Sequence, residues 1–260
     1  MTAPRLIPLM FGNSQEYDFP VKDVAFVLDA QRTTVENGKI AAFNTNAYGT
    51  ISQANTAQRA ESIAGAPHGY KGNVARFHLD LQSHYALPSM ASWNAGEIFA
   101  VITSTYSYHE YSVSNFPSGY HTGLWHLGTF DGGVHYTWGS QVIDNFGCAS
   151  FRGTYSLGLA NDPNYFPDAP HCLNVVRSAS GHYMFAADLQ AAPASSSAVY
   201  VGETAGGTVG FPSVPWIGRT LYDYWFCGLL SMLVICRTNQ SSQDRNAMYD
   251  WLQRKCRVGY

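Results

Sequence analysis

This 260-residue sequence predicts an all-β, two-sheet antiparallel jelly-roll sandwich with one short C-terminal helix. Three observations predict it. Runs that are apolar or alternate at strand length recur along the chain, with glycine, proline, asparagine and aspartate turns between them. Aromatic residues make up 14% and glycine counts 24, while charged residues reach only 13%, about half the usual share. One stretch near the end, SSQDRNAMYDWLQRKC (241–256), breaks that rhythm with helical spacing.

In chain order, residues 1–20 read as an extended N-terminal arm, because Pro4, Pro8 and Pro20 interrupt any ladder. Its apolar residues Leu6, Ile7, Leu9, Met10 and Phe11 are expected to be covered, either by this domain's own sheet or by a neighbouring subunit. Residues 21–260 read as one domain, a length at which β sandwiches stay undivided. Strands are expected at 24–30, 39–43, 75–81, 98–103, 123–130, 134–138, 173–176, 182–187, 199–201 and 229–236. In GLWHLGTFDGGVHYTWG, Asp131-Gly132-Gly133 supplies the positive-φ positions of a hairpin between two aromatic-rich strands. Stretches 44–70 and 153–171 lack periodicity and read as loops. For the helix, Ser241 or Ser242 is the cap, and Asp244 stands three after Ser241 as in a capping box. Ala247, Met248, Trp251 and Leu252 form an apolar face, with Arg254 and Lys255 near the negative end of the dipole.

Charge excludes some partners. A net charge of −3 with lysine at only four positions offers no basic stripe for nucleic acid. No apolar run reaches membrane-spanning length, so no membrane partner is expected. The first twenty residues, with apolar runs broken by proline, are too weak for a secretory signal. Five cysteines, Cys148, Cys172, Cys227, Cys236 and Cys256, form no C-x-x-C and no zinc spacing with the nine histidines, and they read as buried thiols.

Three segments carry a family likeness. VAFVLDAQRTTVENGKIAAFN reads as an opening strand, a turn, a glycine and a second strand. GNVARFHLDLQSHYALP precedes the central strand EIFAVITSTYS. The end, IGRTLYDYWFCGLLSMLVICRTNQSSQDRNAMYDWLQRKC, runs from a strand through a polar turn to a helix. Together they resemble the concanavalin A-like, laminin-G-type domains of bacterial and phage proteins, with Phe26 where that family has tryptophan and Phe43-Asn44-Thr45 where it has W-x-D. The resemblance spans nearly the whole chain and implies the jelly-roll fold.

Chemistry-bearing patterns are sparse. Retaining glycosidases of this superfold need two carboxyls about 5–5.5 Å apart, yet of six glutamates only Glu16 has an acid two residues on, Asp18, with Phe19-Pro20 following at once. No nucleophile-elbow, zinc-protease or phosphate-loop motif is present, so no enzyme and no cofactor is expected. The loop NDPNYFPD places Asp162, Asn164 and Asp168 as oxygen ligands for calcium, beside the alternative of an Asx/Pro turn. Tyr106, Tyr108, His109, Tyr111 and Trp125 are candidates for a glycan or protein interface, beside the alternative of plain core.

With no export signal or enzyme motif, the resemblance implies a non-enzymatic phage virion protein. Such a protein would be a capsid decoration or tail-associated subunit, located in the virion and held by contacts with other virion subunits as a homo-oligomer. The alternative is a carbohydrate-binding module that recognises a host surface glycan.

Overall fold

The computed structural model describes residues 17–45, 47–64, 69–78, 81–104, 121–126, 135–139, 148–151, 155–158, 170–178, 181–188, 199–205, 215–219, 226 and 228–257. The strands among them are β1 (Val24–Asp29), β2 (Thr33–Glu36), β3 (Lys39–Thr45), β4 (Gly49–Ser52), β5 (Glu61–Ile63), β6 (Val74–Phe77), β7 (Tyr85–Ala86), β8 (Gly96–Ser104) and β9 (His121–His126). They continue with β10 (His135–Gly139), β11 (Cys148–Phe151), β12 (Tyr155–Gly158), β13 (His171–Ser178), β14 (Gly181–Asp188), β15 (Val199–Ala205), β16 (Trp216–Ile217) and β17 (Gly228–Cys236). The chain then forms one helix, α1 (Ser242–Cys256).

The protein is thus mostly β, with one short C-terminal helix and curled antiparallel sheets. An eleven-stranded sheet runs β15-β14-β13-β8-β17-β6-β5-β3-β2, with β1 also on β17 and β4 also on β3, and a six-stranded sheet runs β12-β11-β10-β9-β16-β7. The hairpin expected around residues 123–138 is present as β9 against β10, and its turn lies outside the described residues. The aperiodic stretches read as loops contain short strands: β4 and β5 in the first, β12 in the second. Strands of three or four residues are too brief for alternation to register.

Strand β17 is central because its sequence, GLLSMLVIC, is buried at all nine positions, as a strand covered on both faces must be. One edge pairs with β8 throughout; the other pairs with β6 over Gly228–Leu230 and with β1 over Met232–Cys236. Ser231 is the bulge between these halves, and its carbonyl accepts the Ala30 N–H at 3.0 Å where β1 ends. Across this bulge the side chains divide between two cores. Leu230, Leu233 and Ile235 join Phe26, Leu28, Phe43, Phe77, Ile98, Ile102, Tyr85 and Ile217 in a core between the sheets. Leu229, Met232, Val234 and Cys236 join Val27, Phe99, Val101, Met248, Tyr249 and Leu252 in a core beneath α1.

The helix starts where the capping box places it: Ser241 Oγ accepts the Asp244 N–H at 3.0 Å, with Asp244 in the first turn and Arg254 and Lys255 in the last. Its buried face is rotated from the one read in sequence. Met248, Tyr249, Leu252, Gln253 and Cys256 are buried, whereas Ala247 and Trp251 lie on the flank, half-buried. Polar bonds made by Tyr249 and Arg245, described below, set that rotation. Trp251 instead packs at a tilt against Phe19, the ring planes 56° apart and the centroids 4.8 Å apart. Tyr17, 5% exposed, lies 6.4 Å from Trp251, so the end of the segment read as an arm packs on the chain's own helix.

Candidate functional site

Of the residues singled out in sequence, Tyr106, Tyr108, His109 and Tyr111, the arm residues Leu6, Ile7, Leu9, Met10 and Phe11, and the calcium candidates Asp162, Asn164 and Asp168 lie outside the described residues. Among the described residues no group of three or more His, Cys, Asp or Glu could hold a metal ion, and no helix is long and apolar enough to cross a membrane. Trp125 falls on β9, paired with Tyr136 on one side and Ile217 on the other. Ile217 pairs in turn with Tyr85, and both are buried between the sheets. By backbone register Trp125 therefore shares a row with Ile217 and Tyr85.

Among the described residues two carboxylates are fully buried, Asp29 and Glu97, and both lie on the helix side of the large sheet. Glu97 accepts from Arg245 Nε at 2.7 Å and Nη2 at 3.1 Å, from the Gln240 N–H at 2.7 Å and from Asn174 Nδ2 at 3.0 Å. Asn174 Oδ1 accepts the Tyr249 hydroxyl at 2.9 Å. Burial works against the Arg245 charge, but the bonds to Glu97 outweigh it and hold the guanidinium above its ordinary pKa. Burial pushes the Tyr249 phenol up, so it stays a donor. Asp29 accepts from the Tyr17 hydroxyl and the Gln31 N–H, both at 2.9 Å, with Lys255 Nζ at 3.8 Å.

These acids do not form a reacting pair. Asp29 is level with Met232 on β17, and Met232 with Val101 on β8, two strands across from Asp29 and four residues along β8 from Glu97. Strand spacing puts the two carboxyls roughly 16 Å apart, beyond the roughly 5–9.5 Å that glycoside hydrolysis uses. Their bonds fasten α1 and the N-terminal segment to the sheet. A third cluster pairs Glu61 with His78 Nε2 at 2.8 Å and Arg76 at 4.0 Å, all partly exposed.

The outer face of the six-stranded sheet is different in kind. Tyr85 and Ile217 are buried whereas their neighbours Ala86 and Trp216 are exposed and half-buried, which fixes the inner and outer rows. One outer row runs Ala86–Trp216–His126–His135 across four strands. Leu124 is the bulge in β9, and beyond it the next outer row runs Gly123–Thr137–Ser150–Ser156, followed by His121 opposite Gly139. Arg219 stacks its guanidinium over the Trp216 ring, 4.6 Å from the centroid. His84, just before β7, has Nδ1 at 2.9 Å from the Gln82 carbonyl, and burial, reinforced by the Arg219 charge, lowers its pKa. Gly218 makes the tight approach that places these groups. Its φ is +91°, and a Cβ there would stand 2.4 Å from the Ser83 carbonyl oxygen.

Sequence reasoning missed Trp216, Arg219 and His84. Trp216 sits in a two-residue strand between Pro215 and Gly218, too short for alternation to find. The usable signal was in the β9–β10 hairpin, where His121, His126 and His135 fall on the opposite rows from Trp125, Tyr136 and Trp138.

No protein-family model matches the chain, and no curated protein matches it. Solved structures do. A mutant GH54 α-L-arabinofuranosidase soaked with 4-nitrophenyl α-L-arabinofuranoside is 13% identical, covering 85% of this chain and 52% of that one, at TM-score 0.55. The same type of enzyme soaked with a cyclic sulfate inhibitor is 12% identical at the same coverage, TM-score 0.56. Domain 4 of AbnA, an extracellular GH43 arabinanase from Geobacillus stearothermophilus, in complex with arabinotriose, is 12% identical over 87% of this chain and 98% of that one, at TM-score 0.53. The chain spans about half the length of the arabinofuranosidases. At these identities the likeness is one of fold, a β-sheet fold found in carbohydrate-active proteins. It corrects the expectation of a non-enzymatic protein: chains of this fold belong to glycoside hydrolases, and missing short motifs do not exclude an enzyme whose acids come from separate strands.

Proposed function

We propose that this chain is a carbohydrate-binding domain of concanavalin A-like jelly-roll type, recognising a glycan on the outer face of its six-stranded sheet. The observation that carries this reading is the composition of that face. By strand register the half-buried Trp216 shares its row with His126 and His135, and Thr137, Ser150 and Ser156 are paired with one another on the next row of the same alternation, whereas Tyr85 and Ile217 on the other alternation are buried. Aromatic rings suit the apolar faces of sugars, and hydroxyl and imidazole groups suit their hydroxyls. The end-to-end likeness to an arabinanase domain in complex with arabinotriose supports it, and favours glycan binding over assembly by protein contacts.

A panel of immobilised plant and bacterial oligosaccharides that includes arabinotriose tests the reading, alongside release of nitrophenol from 4-nitrophenyl α-L-arabinofuranoside. Saturable binding to at least one glycan, weakened by Trp216→Ala with the melting temperature retained, is the expected result. Binding to no glycan would overturn it. A virion setting, which rests on the sequence resemblance, and an arm that docks on a neighbouring subunit, which rests on its apolar residues, are further proposals. Comparing the particle size of the full chain with that of a chain lacking residues 1–16 tests the second.

A further inference from the structure

Cations gather at the end of α1, on the side of the large sheet that faces away from the six-stranded one. Five of the chain's fifteen lysines and arginines, Arg32, Lys71, Arg254, Lys255 and Arg257, meet there. Arg32 and Lys255 both stand over the Tyr17 ring, 5.5 and 5.7 Å from its centroid. Lys71 Nζ donates to the Arg254 carbonyl at 3.5 Å, and Tyr70 bridges to Arg257. Among the described residues the acids beside them are Asp18, Asp250 and the buried Asp29, which Lys255 faces at 3.8 Å, so positive charge is in excess here on a protein of net −3. The negative end of the helix dipole favours cations nearby, but its last carbonyls already have donors: the Arg257 N–H on Gln253, Lys71 Nζ on Arg254 and the Lys71 N–H on Cys256. The Arg254 guanidinium is exposed and forms no ion pair among the described residues. Lys71 is exposed as well.

A strip of rings adjoins this charge. Trp251 is three residues before Arg254 and four before Lys255, and so lies on their side of the helix. It packs against Phe19 at 4.8 Å and Phe19 against Tyr48 at 6.1 Å, the ring planes 56° and 53° apart, and all three are half-buried. We infer that this face docks an acidic segment of another protein, its carboxylates at Arg254 and Lys71 and an apolar side chain on the Trp251–Phe19–Tyr48 strip. Aromatic rings beside arginine are what protein interfaces hold at their most energetic positions, and the charge excess sets the sign of the partner. The tilt argues against a sugar or a base, which stacks on one open ring face. Tilted rings leave grooves that an aliphatic side chain fills. Half-burial argues against a bilayer, which takes up rings that project into it. The surface is separate from the glycan face, with the large sheet between them.

Fluorescence anisotropy of labelled twelve-residue peptides titrated with the full chain tests this. The probes are repeats of Glu-Glu-Leu, Gln-Gln-Leu and Glu-Glu-Ser, with co-sedimentation on vesicles of phosphatidylserine and phosphatidylcholine run alongside. The Glu-Glu-Leu peptide is expected to bind roughly tenfold or more tighter than either of the others, since each of those keeps only one of the two kinds of contact. That advantage over Gln-Gln-Leu should shrink as salt is raised, and Arg254→Glu should remove most of it. Equal binding of Glu-Glu-Leu and Gln-Gln-Leu removes the role of charge, equal binding of Glu-Glu-Leu and Glu-Glu-Ser removes the role of the rings, and either result overturns the docking surface. Binding to vesicles with no binding to any peptide overturns it in favour of a membrane. Glu-Glu-Leu binding unchanged in both Arg254→Glu and Lys71→Glu overturns the placement at the end of α1. Should either variant fail to fold, the ratios among the three peptides in the unaltered protein still decide. None of these outcomes bears on glycan binding, which the oligosaccharide panel decides.

Discussion

Replacing Arg245 by alanine leaves Glu97 fully buried with two of its partners gone, the contacts at 2.7 and 3.1 Å. Asn174 Nδ2 and the Gln240 N–H remain, so the carboxylate keeps donors but loses its counter-charge. Breaking one side of a buried ion pair costs about 3–5 kcal/mol, and Arg245 is 13% exposed in its side chain, so little solvent screening discounts that figure. In a chain of this size each kcal/mol is worth about 2–4 °C, which puts the loss at roughly 6–20 °C. Melting followed by circular dichroism measures it, and the double variant Glu97→Gln, Arg245→Ala should recover part of the loss because the orphaned charge is gone. A loss under about 1 kcal/mol, or no recovery in the double variant, would refute the view that this pair anchors α1 to the sheet.

Other outcomes follow from packing. Gly218→Ala forces a Cβ to 2.4 Å from the Ser83 carbonyl oxygen at a φ of +91° and should cost about 3 kcal/mol or more; a melting temperature within a degree or two of the parent's contradicts the geometry there. Trp251→Ala removes a half-buried ring packed at a tilt against Phe19 and should cost about 1–3 kcal/mol, less than the roughly 3–5 for a fully buried aromatic, read by urea unfolding. Cys172, Cys236 and Cys256 are free and buried. Burial pushes all three thiols up, that of Cys256 to about 12, so at pH 8 iodoacetamide should leave their peptides unlabelled until denaturant is added. Labelling of these peptides in the native protein would show that the helix opens.

What the sequence made legible was whatever it repeated or punctuated. The apolar run at 229–236 announced a strand, and Ser241 with Asp244 announced the start of α1. The Asn37-Gly38 pair, both at positive φ, turns β2 into β3 as such pairs do. Long-range pairing left no local trace. Glu97 and Arg245 are separated by 148 positions, and nothing near either residue foretells that they meet, yet their bond decides which helix face is buried. The cluster Tyr106, Tyr108, His109, Tyr111 and Trp125 offered an interface or core in equal measure, because spacing in sequence does not say which rings face out. Trp216 is set beside Ala86 and His126 by β16 pairing with both β7 and β9, a placement that only the sheet topology reveals.

The most direct test of the glycan-face account is amide hydrogen exchange with and without the tightest-binding oligosaccharide of the panel. Protection is predicted in peptides covering 84–86, 121–126, 135–139 and 216–219, with no change across α1. Protection confined to α1 or to the large sheet would contradict it.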